Sequence, residues 1–253
     1  MNKFEKEIID RINRNKNNKP LLESAKHFFT DSVLAKYCYN FSALGRPIIQ
    51  YPQDMIAMQE IIWEVKPDLI IETGIAHGGS LVMNASMLAL LDMSDAINGG
   101  VSAFNPMKSK RKVLGIDIDI RSYNKKAIKD HFMSSRIQMI QGSSTDYLII
   151  EEVKKIASNY KRILISLDSN HTHEHVLKEL EAYASLTSVG SYCVVFDTAI
   201  ENLNPSSFWG PGNSPMTAVK DFLKLHPEFE IDKNIDDKIL ISAVPCGYLK
   251  RIF

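Results

Sequence analysis

Asp68-Leu69-Ile70-Ile71-Glu72-Thr73-Gly74-Ile75-Ala76-His77-Gly78-Gly79-Ser80 is the stretch on which the fold turns. Asp68–Glu72 is a short apolar run that ends in an acid and meets a glycine, the pattern of a buried parallel strand. Ser80–Leu91, rich in Leu, Met and Ala, predicts a helix directly after the turn. Glycines at such a turn permit positive φ and bring backbone close to a ligand. The free N–H groups of the following helix face the same place. The spacing is Gly74-x-x-x-Gly78-Gly79, not the G-x-G-x-x-G of a pyrophosphate cradle. An acid before the turn suits a ligand with a cationic centre and an amino-acid end. That points to S-adenosylmethionine, with Glu72, Gly74, His77, Gly78 and Ser80 as its contacts.

Outward from this turn the pattern alternates. Met55–Val65 reads as a helix before the strand. After it come strands at Val113–Ile118, Arg136–Ile140, Arg162–Leu167 and Tyr192–Phe196, with helices at Asn124–His131, Tyr147–Ala157 and His175–Ala184. Asp92–Arg111 reads as a surface loop. Pro215–Leu225 is a further helix, and Phe229–Ile231 with Lys238–Val244 closes the chain as two strands with no helix between them. Alternating strands and helices predict a parallel sheet covered on both faces. A terminal antiparallel pair, where a dinucleotide-binding domain would add a sixth parallel unit, is the layout of class I methyltransferases. The expected fold is α/β, a doubly wound, seven-stranded, Rossmann-like sheet of order 3-2-1-4-5-7-6.

Residues 1–53 read differently and are expected to form an N-terminal helical extension, with the methyltransferase domain at 54–253. Phe4, Ile8, Ile9 and Ile12 have helical spacing, a second helix is expected near Leu22–Tyr39, and Gly45–Pro52 reads as a loop. The apolar faces of this arm suggest a homo-oligomer or a fold-back onto the domain.

Composition narrows the functional classes. Lys+Arg and Asp+Glu are both 30 in 253 residues, so the overall charge gives no reason to expect nucleic acid or an anionic membrane as partner. Cys38, Cys193 and Cys246 are scattered, which argues against a disulfide framework or a structural zinc and for a reducing compartment. The charged N-terminus lacks the apolar run of a signal peptide, and no apolar segment reads as long enough for the roughly 20 residues of a membrane span. A cytoplasmic location is expected.

The remaining chemistry-bearing residues follow strand ends. Asp117, in Gly115-Ile116-Asp117-Ile118-Asp119, is placed to accept from ribose hydroxyls, with Asp119 in reserve or as a helix cap. Ser143 and Ser144, in Gln141–Asp146, lie where a purine would rest, and the same residues can cap the next helix. Asp168 and His171 follow the fourth strand: a carboxylate for an acceptor hydroxyl or a cation, and an imidazole whose ordinary pKa of ~6.5 suits proton transfer. His173 and His175 read as surface or helix-face residues. Asp197 follows the fifth strand and should face Asp168; two carboxylates plus waters suffice for Mg²⁺. Phe208–Pro215, with Trp209 among Gly and Pro, reads as a lid or an anchored surface loop.

Together GRPIIQYPQD (45–54), KPDLIIETGIAHGGSL (66–81), VLGIDIDIR (113–121), QGSSTD (141–146), LDSNHTHEHVLKELEAY (167–183), VVFDT (194–198) and WGPGNSPMTAV (209–219) resemble the cephalosporin hydroxylase family of class I methyltransferase-like proteins. The resemblance spans about residues 45–253. It implies S-adenosylmethionine-dependent O-methylation of a sugar or natural-product hydroxyl, often with Mg²⁺. Many bacterial members are associated with surface-polysaccharide biosynthesis. By position it implies Glu72, Gly74 and Ser80 at the methionine end and Asp117 at the ribose. It further implies Asp168 and Asp197 as metal carboxylates and His171 as the base, as in macrolide-sugar methyltransferases. One position departs: metal-binding relatives carry Glu-Asp where this chain has Phe196-Asp197. Asn170 and Glu201 are the substitutes considered for that ligand. The rival readings are a hydroxylase, against which the lack of a two-His-one-carboxylate spacing counts, and a catalytically inactive cofactor-binding accessory protein.

Overall fold

The computed structural model describes residues 2–101, 103, 105–203 and 210–253. Its centre is a seven-stranded sheet. Strand β3 (Leu69–Thr73) lies inside it, with β4 (Lys112–Asp117) and β5 (Ile137–Gln141) on one side. On the other side lie β6 (Ile163–Leu167), β7 (Tyr192–Val195), β9 (Tyr248–Arg251) and, at the edge, β8 (Phe229–Ile231). Counted within this sheet the order is 3-2-1-4-5-7-6, as expected. The first five strands are parallel, and β9 runs antiparallel to both β7 and β8.

The alternation of strand side chains builds two cores. Ile70, Val113, Leu164 and Val194 point to one face. There they meet Met58, Ile61 and Ile62 of α3 (Pro52–Val65), Leu81, Ala85 and Leu88 of α4 (Gly79–Asn98), and Ile128 of α5 (Ser122–Asp130). Leu69, Ile71, Leu114, Ile165 and Val195 point the other way. They meet Val153 of α6 (Tyr147–Ala157), Val176 and Leu180 of α7 (His173–Tyr183), and Val219 and Phe222 of α8 (Pro215–Leu225). Both faces are covered, which is why the strands read as continuous apolar runs. Each fully buried aliphatic side chain contributes about 1.5–3 kcal/mol.

Several elements differ from the reading of the sequence. The second antiparallel partner is Tyr248–Arg251, and Lys238–Val244 is not a strand. A short helix, α9 (Lys233–Ile239), occupies that place and ends at Leu240 with φ 59°. The residues after it are held otherwise: Ser242 Oγ and the Ala243 N–H both donate to the buried Asp54 carboxylate of α3. Helix α4 does not stop at Leu91 but runs to Asn98. Asp92, expected in a loop, accepts from Arg111 and from the buried Arg136, which anchors the connection that follows. At 20 residues α4 is, among the described residues, a helix long and apolar enough to cross a membrane by composition. Its Leu81, Val82, Ala85, Leu88 and Leu91 instead cover the sheet.

The N-terminal part holds α1 (Lys3–Asn15) and α2 (Lys19–Leu34), which is shorter than expected. Gly45–Pro52 is no simple loop, because Arg46–Ile48 (β2) pairs with Phe41–Ala43 (β1) as a hairpin. Leu44 at φ 47° and Gly45 at φ 84° form its two-residue turn, whose positive φ values match the twist of such hairpins. The hairpin lies on the start of α4: a Cβ on Gly79 would meet the Pro47 carbonyl at 2.3 Å.

Candidate active site

Every strand of the parallel set ends at the same edge, and the chain reverses direction between β4 and β6 on either side of β3. A crevice at that switch point is where such sheets bind ligands. Gly74 sits in it with φ 85° and packs against β6: its Cβ would lie 1.9 Å from the Asp168 carbonyl oxygen.

Three cavities adjoin there. The first, of about 210 Å³, is walled by Gly74–His77, Gly79 and Ser80 on one side. Asp168, His171 and Asp197 close it opposite, with Pro47–Gln50 and Tyr39 above. The second, of about 280 Å³, is bounded by Gly74, Asp117, Ile118, Ser143, Ser144 and His175, among others. The third, of about 340 Å³, opens over Asp168, His171 and Asp197 and is otherwise mostly apolar, with Phe29, Val33, Ile49, Phe196 and Ile200 in its wall. Asp168 therefore belongs to the first and third, and Gly74 to the first and second.

Glu72 follows Ile70 by two residues on the strand, so it faces α4. Asn84 follows Ser80 by four and shares its helix face. Ser80 Oγ donates to one Glu72 oxygen and Asn84 Nδ2 to the other at 2.9 Å. Burial raises this carboxyl from 4.5 to about 7 against the pull of the two donors. Glu72 thus stands behind Ser80 and does not itself wall the cavity. Gly78 is likewise out of the wall: with φ 81° it caps α4 and lies against Ile128. His77 lines the cavity, and its carbonyl accepts from Arg46 Nε at 3.0 Å. Asp117 ties the turn together, because its Oδ2 accepts from the Ile75 N–H at 2.7 Å and its Oδ1 from the Asp119 N–H at 3.0 Å.

The ligand atoms of Asp168, His171 and Asp197 all lie within 4.8 Å of one another. His171 Nε2 is 3.2 Å from Asp197 Oδ2. Asp197 holds a left-handed conformation, φ 56°, ψ 22°, which costs a non-glycine residue about 1–2 kcal/mol and turns its carboxylate toward Asp168. Asp168 is pushed well above the usual carboxylate range, first by burial and then by the neighbouring charges of Asp197 and Glu72. Its partner is the buried Gln50 amide. Gathered, mutually repelling carboxylates with an imidazole beside them are a donor set for a divalent cation. Both substitutes considered for the missing ligand hold hydrogen bonds of their own. Glu201 accepts from the Gly212 N–H and Ser214 Oγ at the start of α8. Asn170 accepts from Thr172. Trp209 and the rest of 204–209 lie outside the described residues.

His173 Nδ1 is bonded to Thr217 Oγ1 at 2.8 Å, away from the cavities. His175, expected on the surface or on a helix face, stands on α7 and lines the second cavity, a role the sequence reading did not assign. The signal was present in the sequence: His175-x-x-x-Glu179 puts an acid on the same helix face. Gln50, Tyr39 and Arg46 come from the N-terminal segment, where no local pattern announces them.

This sheet order, with its crevice beyond β3 and β6, defines a class I methyltransferase fold. The family model described as rhamnosyl O-methyltransferase/CmcI matches residues 35–252, and the chain belongs to that family. A rhamnosyl O-methyltransferase of Mycobacterium tuberculosis is 29% identical over 231 residues, covering 90% of this chain and 84% of its own length. That of Mycobacterium leprae is 26% identical over 210 residues, covering 82% of each. Among solved structures, CmcI described as an Mg-SAM form aligns with a TM-score of 0.54 at 16% identity, over 85% of this chain and 78% of the other. CmcI in its apo form aligns at 0.53 and 18% identity, over 85% and 77%. These two likenesses establish the shared fold.

Proposed function

We propose that this chain is an S-adenosylmethionine-dependent O-methyltransferase whose acceptor is a sugar hydroxyl. The observation that carries the reading is the junction of cavities at Asp168, His171 and Asp197. A nucleoside laid across the second cavity and an amino-acid end laid against Ser80 in the first direct the sulfonium between them toward that cluster. The acceptor then enters from the third cavity. The rhamnosyl O-methyltransferase relatives support a sugar as that acceptor.

The residues divide the work as follows. The turn from Gly74 to Gly79 offers backbone N–H groups to the carboxylate end. Asp117 and the serines of 143–144 border the nucleoside. Methyl transfer forms a C–O bond, breaks the C–S bond and leaves the acceptor oxygen with a proton to lose. His171 takes that proton, and Asp197 at 3.2 Å orients the ring and stabilises its charged form. Alignment of donor and acceptor supplies much of the rate. Asp168 and Asp197 would hold a Mg²⁺ ion, a cation that commonly takes only one or two carboxylates and would not require a third at Phe196. Such an ion would supply acidification of an acceptor hydroxyl.

The same reading places residues 1–53 on the acceptor side, since Phe29, Val33, Tyr39 and Gln50 wall the third cavity. Exposed Phe4, Ile9, Phe28 and Leu34 on α1 and α2 support self-association. Three unpaired cysteines support a reducing, cytoplasmic setting, and a role in surface-glycan synthesis is proposed on the resemblance alone.

The test is methyl transfer from labelled S-adenosylmethionine to rhamnose-containing glycosides. His171→Ala should lower turnover by about 10²-fold or more while calorimetric binding of the cofactor persists. Unchanged turnover removes His171 as the base, and no cofactor binding by the native chain ends the proposal.

A further inference from the structure

We infer that Arg46 and Asn124 are the positioning pair that presents the Gly74–Gly79 turn to the amino-acid end of the cofactor; this rests on the reading of the first cavity above. Ala76, in the middle of the turn, has φ 44°, a conformation that a side chain disfavours and that persists only where the surroundings impose it. Both of its peptide groups are held from outside the turn. The Ile75 and Ala76 N–H groups both donate to Asp117 Oδ2, at 2.7 Å and 3.3 Å. The Ala76 carbonyl accepts from Asn124 Nδ2 of α5 at 2.9 Å. The next carbonyl, that of His77, accepts from Arg46 Nε at 3.0 Å and Nη2 at 2.6 Å. Arg46 Nη2 also donates to Asn124 Oδ1 at 2.9 Å, so the two side chains act as one unit. Asn124 is buried, and its amide is oriented at both ends, oxygen toward the cation and nitrogen toward the carbonyl.

This unit sorts the polar atoms of the turn. Two carbonyl oxygens, which would repel a carboxylate, are bonded to Arg46 and Asn124. The N–H groups of His77, Gly79 and Ser80 have no protein acceptor among the described residues, and all three residues wall the first cavity. Unpaired N–H groups at the start of a helix suit an anion. The bonds from Arg46 run to uncharged oxygens, so its charge adds to the attraction of the turn for a carboxylate. Arg46 comes from the β1–β2 hairpin, which is seated by contacts of its own: His131 Nε2 lies 3.0 Å from the Leu44 carbonyl oxygen, and the Pro47 carbonyl packs on Gly79. The hairpin, outside the βα pattern, is thereby a working part of the cofactor site. Arg46 and Asn124 act through the turn they hold, as a preorganising shell behind the groups that meet the ligand.

Calorimetry with S-adenosylhomocysteine and 5′-methylthioadenosine tests this, because the second compound keeps the nucleoside and the sulfur and lacks the amino-acid end. The native chain should bind S-adenosylhomocysteine at least ~10-fold more tightly. Arg46→Ala should weaken S-adenosylhomocysteine about tenfold and 5′-methylthioadenosine little, so that the ratio falls toward one. Arg46→Lys, which keeps the charge and can still reach one acceptor, should recover part of the loss. Asn124→Asp keeps the acceptor that faces Arg46 and removes the donor to the Ala76 carbonyl. It should lower the ratio as well, and it carries the test should Arg46→Ala lose cooperative unfolding. A folded Arg46→Ala or Asn124→Asp variant with the native ratio overturns the inference, whether both affinities hold or both fall together, since a merely structural pair does not distinguish the two compounds. A native chain that binds the two alike overturns it while leaving the nucleoside reading intact. A native chain that binds neither overturns the cofactor reading, and the inference with it.

Discussion

Gly74→Ala isolates the close approach on which the cavities depend. The glycine has φ 85°, and an added Cβ would lie 1.9 Å from the Asp168 carbonyl oxygen, 2.6 Å from its carbon and 3.0 Å from Ser169 Cα. All three are backbone atoms, so no rotamer relieves the contact. The chain is also pinned around it: the Asp168 N–H donates to the Thr73 carbonyl at 2.9 Å and the Gly74 N–H to the Ile116 carbonyl at 2.8 Å. A left-handed conformation costs alanine about 1–2 kcal/mol. Prising two strand ends apart in a close-packed interior adds about 1–3 kcal/mol. The expected loss is about 2–5 kcal/mol, read as a lower urea midpoint at unchanged m. Gly190→Ala is the internal control. That glycine has nearly the same φ, 81°, and nothing within 4 Å of an added methyl, so its substitution carries the conformational cost alone, about 1–2 kcal/mol. The separation of Gly74 from Asp168 should also weaken S-adenosylmethionine binding by tenfold or more in the first variant and leave it untouched in the second. Equal stability losses for the two variants, with equal cofactor affinity, would refute the argument that this glycine lets β3 and β6 converge.

Three further outcomes are expected. Glu72 is lifted by burial from 4.5 to about 7, so its folded form holds a proton that the unfolded chain has released; the stability it supports is full below about 4.5 and falls as pH rises to about 7. At ~1.4 kcal/mol per unit this amounts to about 3 kcal/mol, and Glu72→Gln should flatten that part of the native slope in urea titrations at pH 5 to 8; parallel slopes would count against it. Asp54→Ala strips an acceptor from Ser242 Oγ at 2.5 Å, the Ala243 N–H at 2.9 Å and Tyr248 Oη at 2.8 Å, and should cost about 3 kcal/mol or more, with α3 and the segment after α9 losing hydrogen-exchange protection first. Mg²⁺ added to cofactor-saturated protein should raise the unfolding temperature, and Asp168→Asn together with Asp197→Asn should abolish the rise; an equal rise in the double variant places the ion elsewhere.

The course of the chain through 54–231, apart from the end of α4, is legible because local and tertiary preferences agree there. Tyr147–Ala157 and Pro215–Leu225 begin at Asp146 and Ser214, whose side chains cap them, and the bounds expected from the sequence match to the residue. The closing segment departs from its local pattern for the opposite reason. Ile239–Val244 is apolar enough for a strand, but Asp54, nearly 190 positions away, takes its donors and bends it. Helix α4 outruns its expected end because Asp92 and Asp95 gain partners in Arg111 and Arg136, which no local window contains.

The site divides along the same line. Residues at or just past strand ends, Gly74, Asp117, Asp168 and Asp197, announce themselves, because a parallel sheet sends all its strand ends to one edge and the chain's own alternation says where they are. The sequence alone therefore determined the fold class, the strand order and the edge at which a ligand would lie. What only the tertiary structure decided is which side chains wall the crevice and which stand behind it. Glu72 withdraws behind Ser80, Gln50 and Tyr39 arrive from a hairpin and a turn outside the βα pattern, and His175 meets Ser144 and Ser169 at the second cavity. Those assignments depend on distances between atoms far apart in the chain, which periodicity along the chain does not encode.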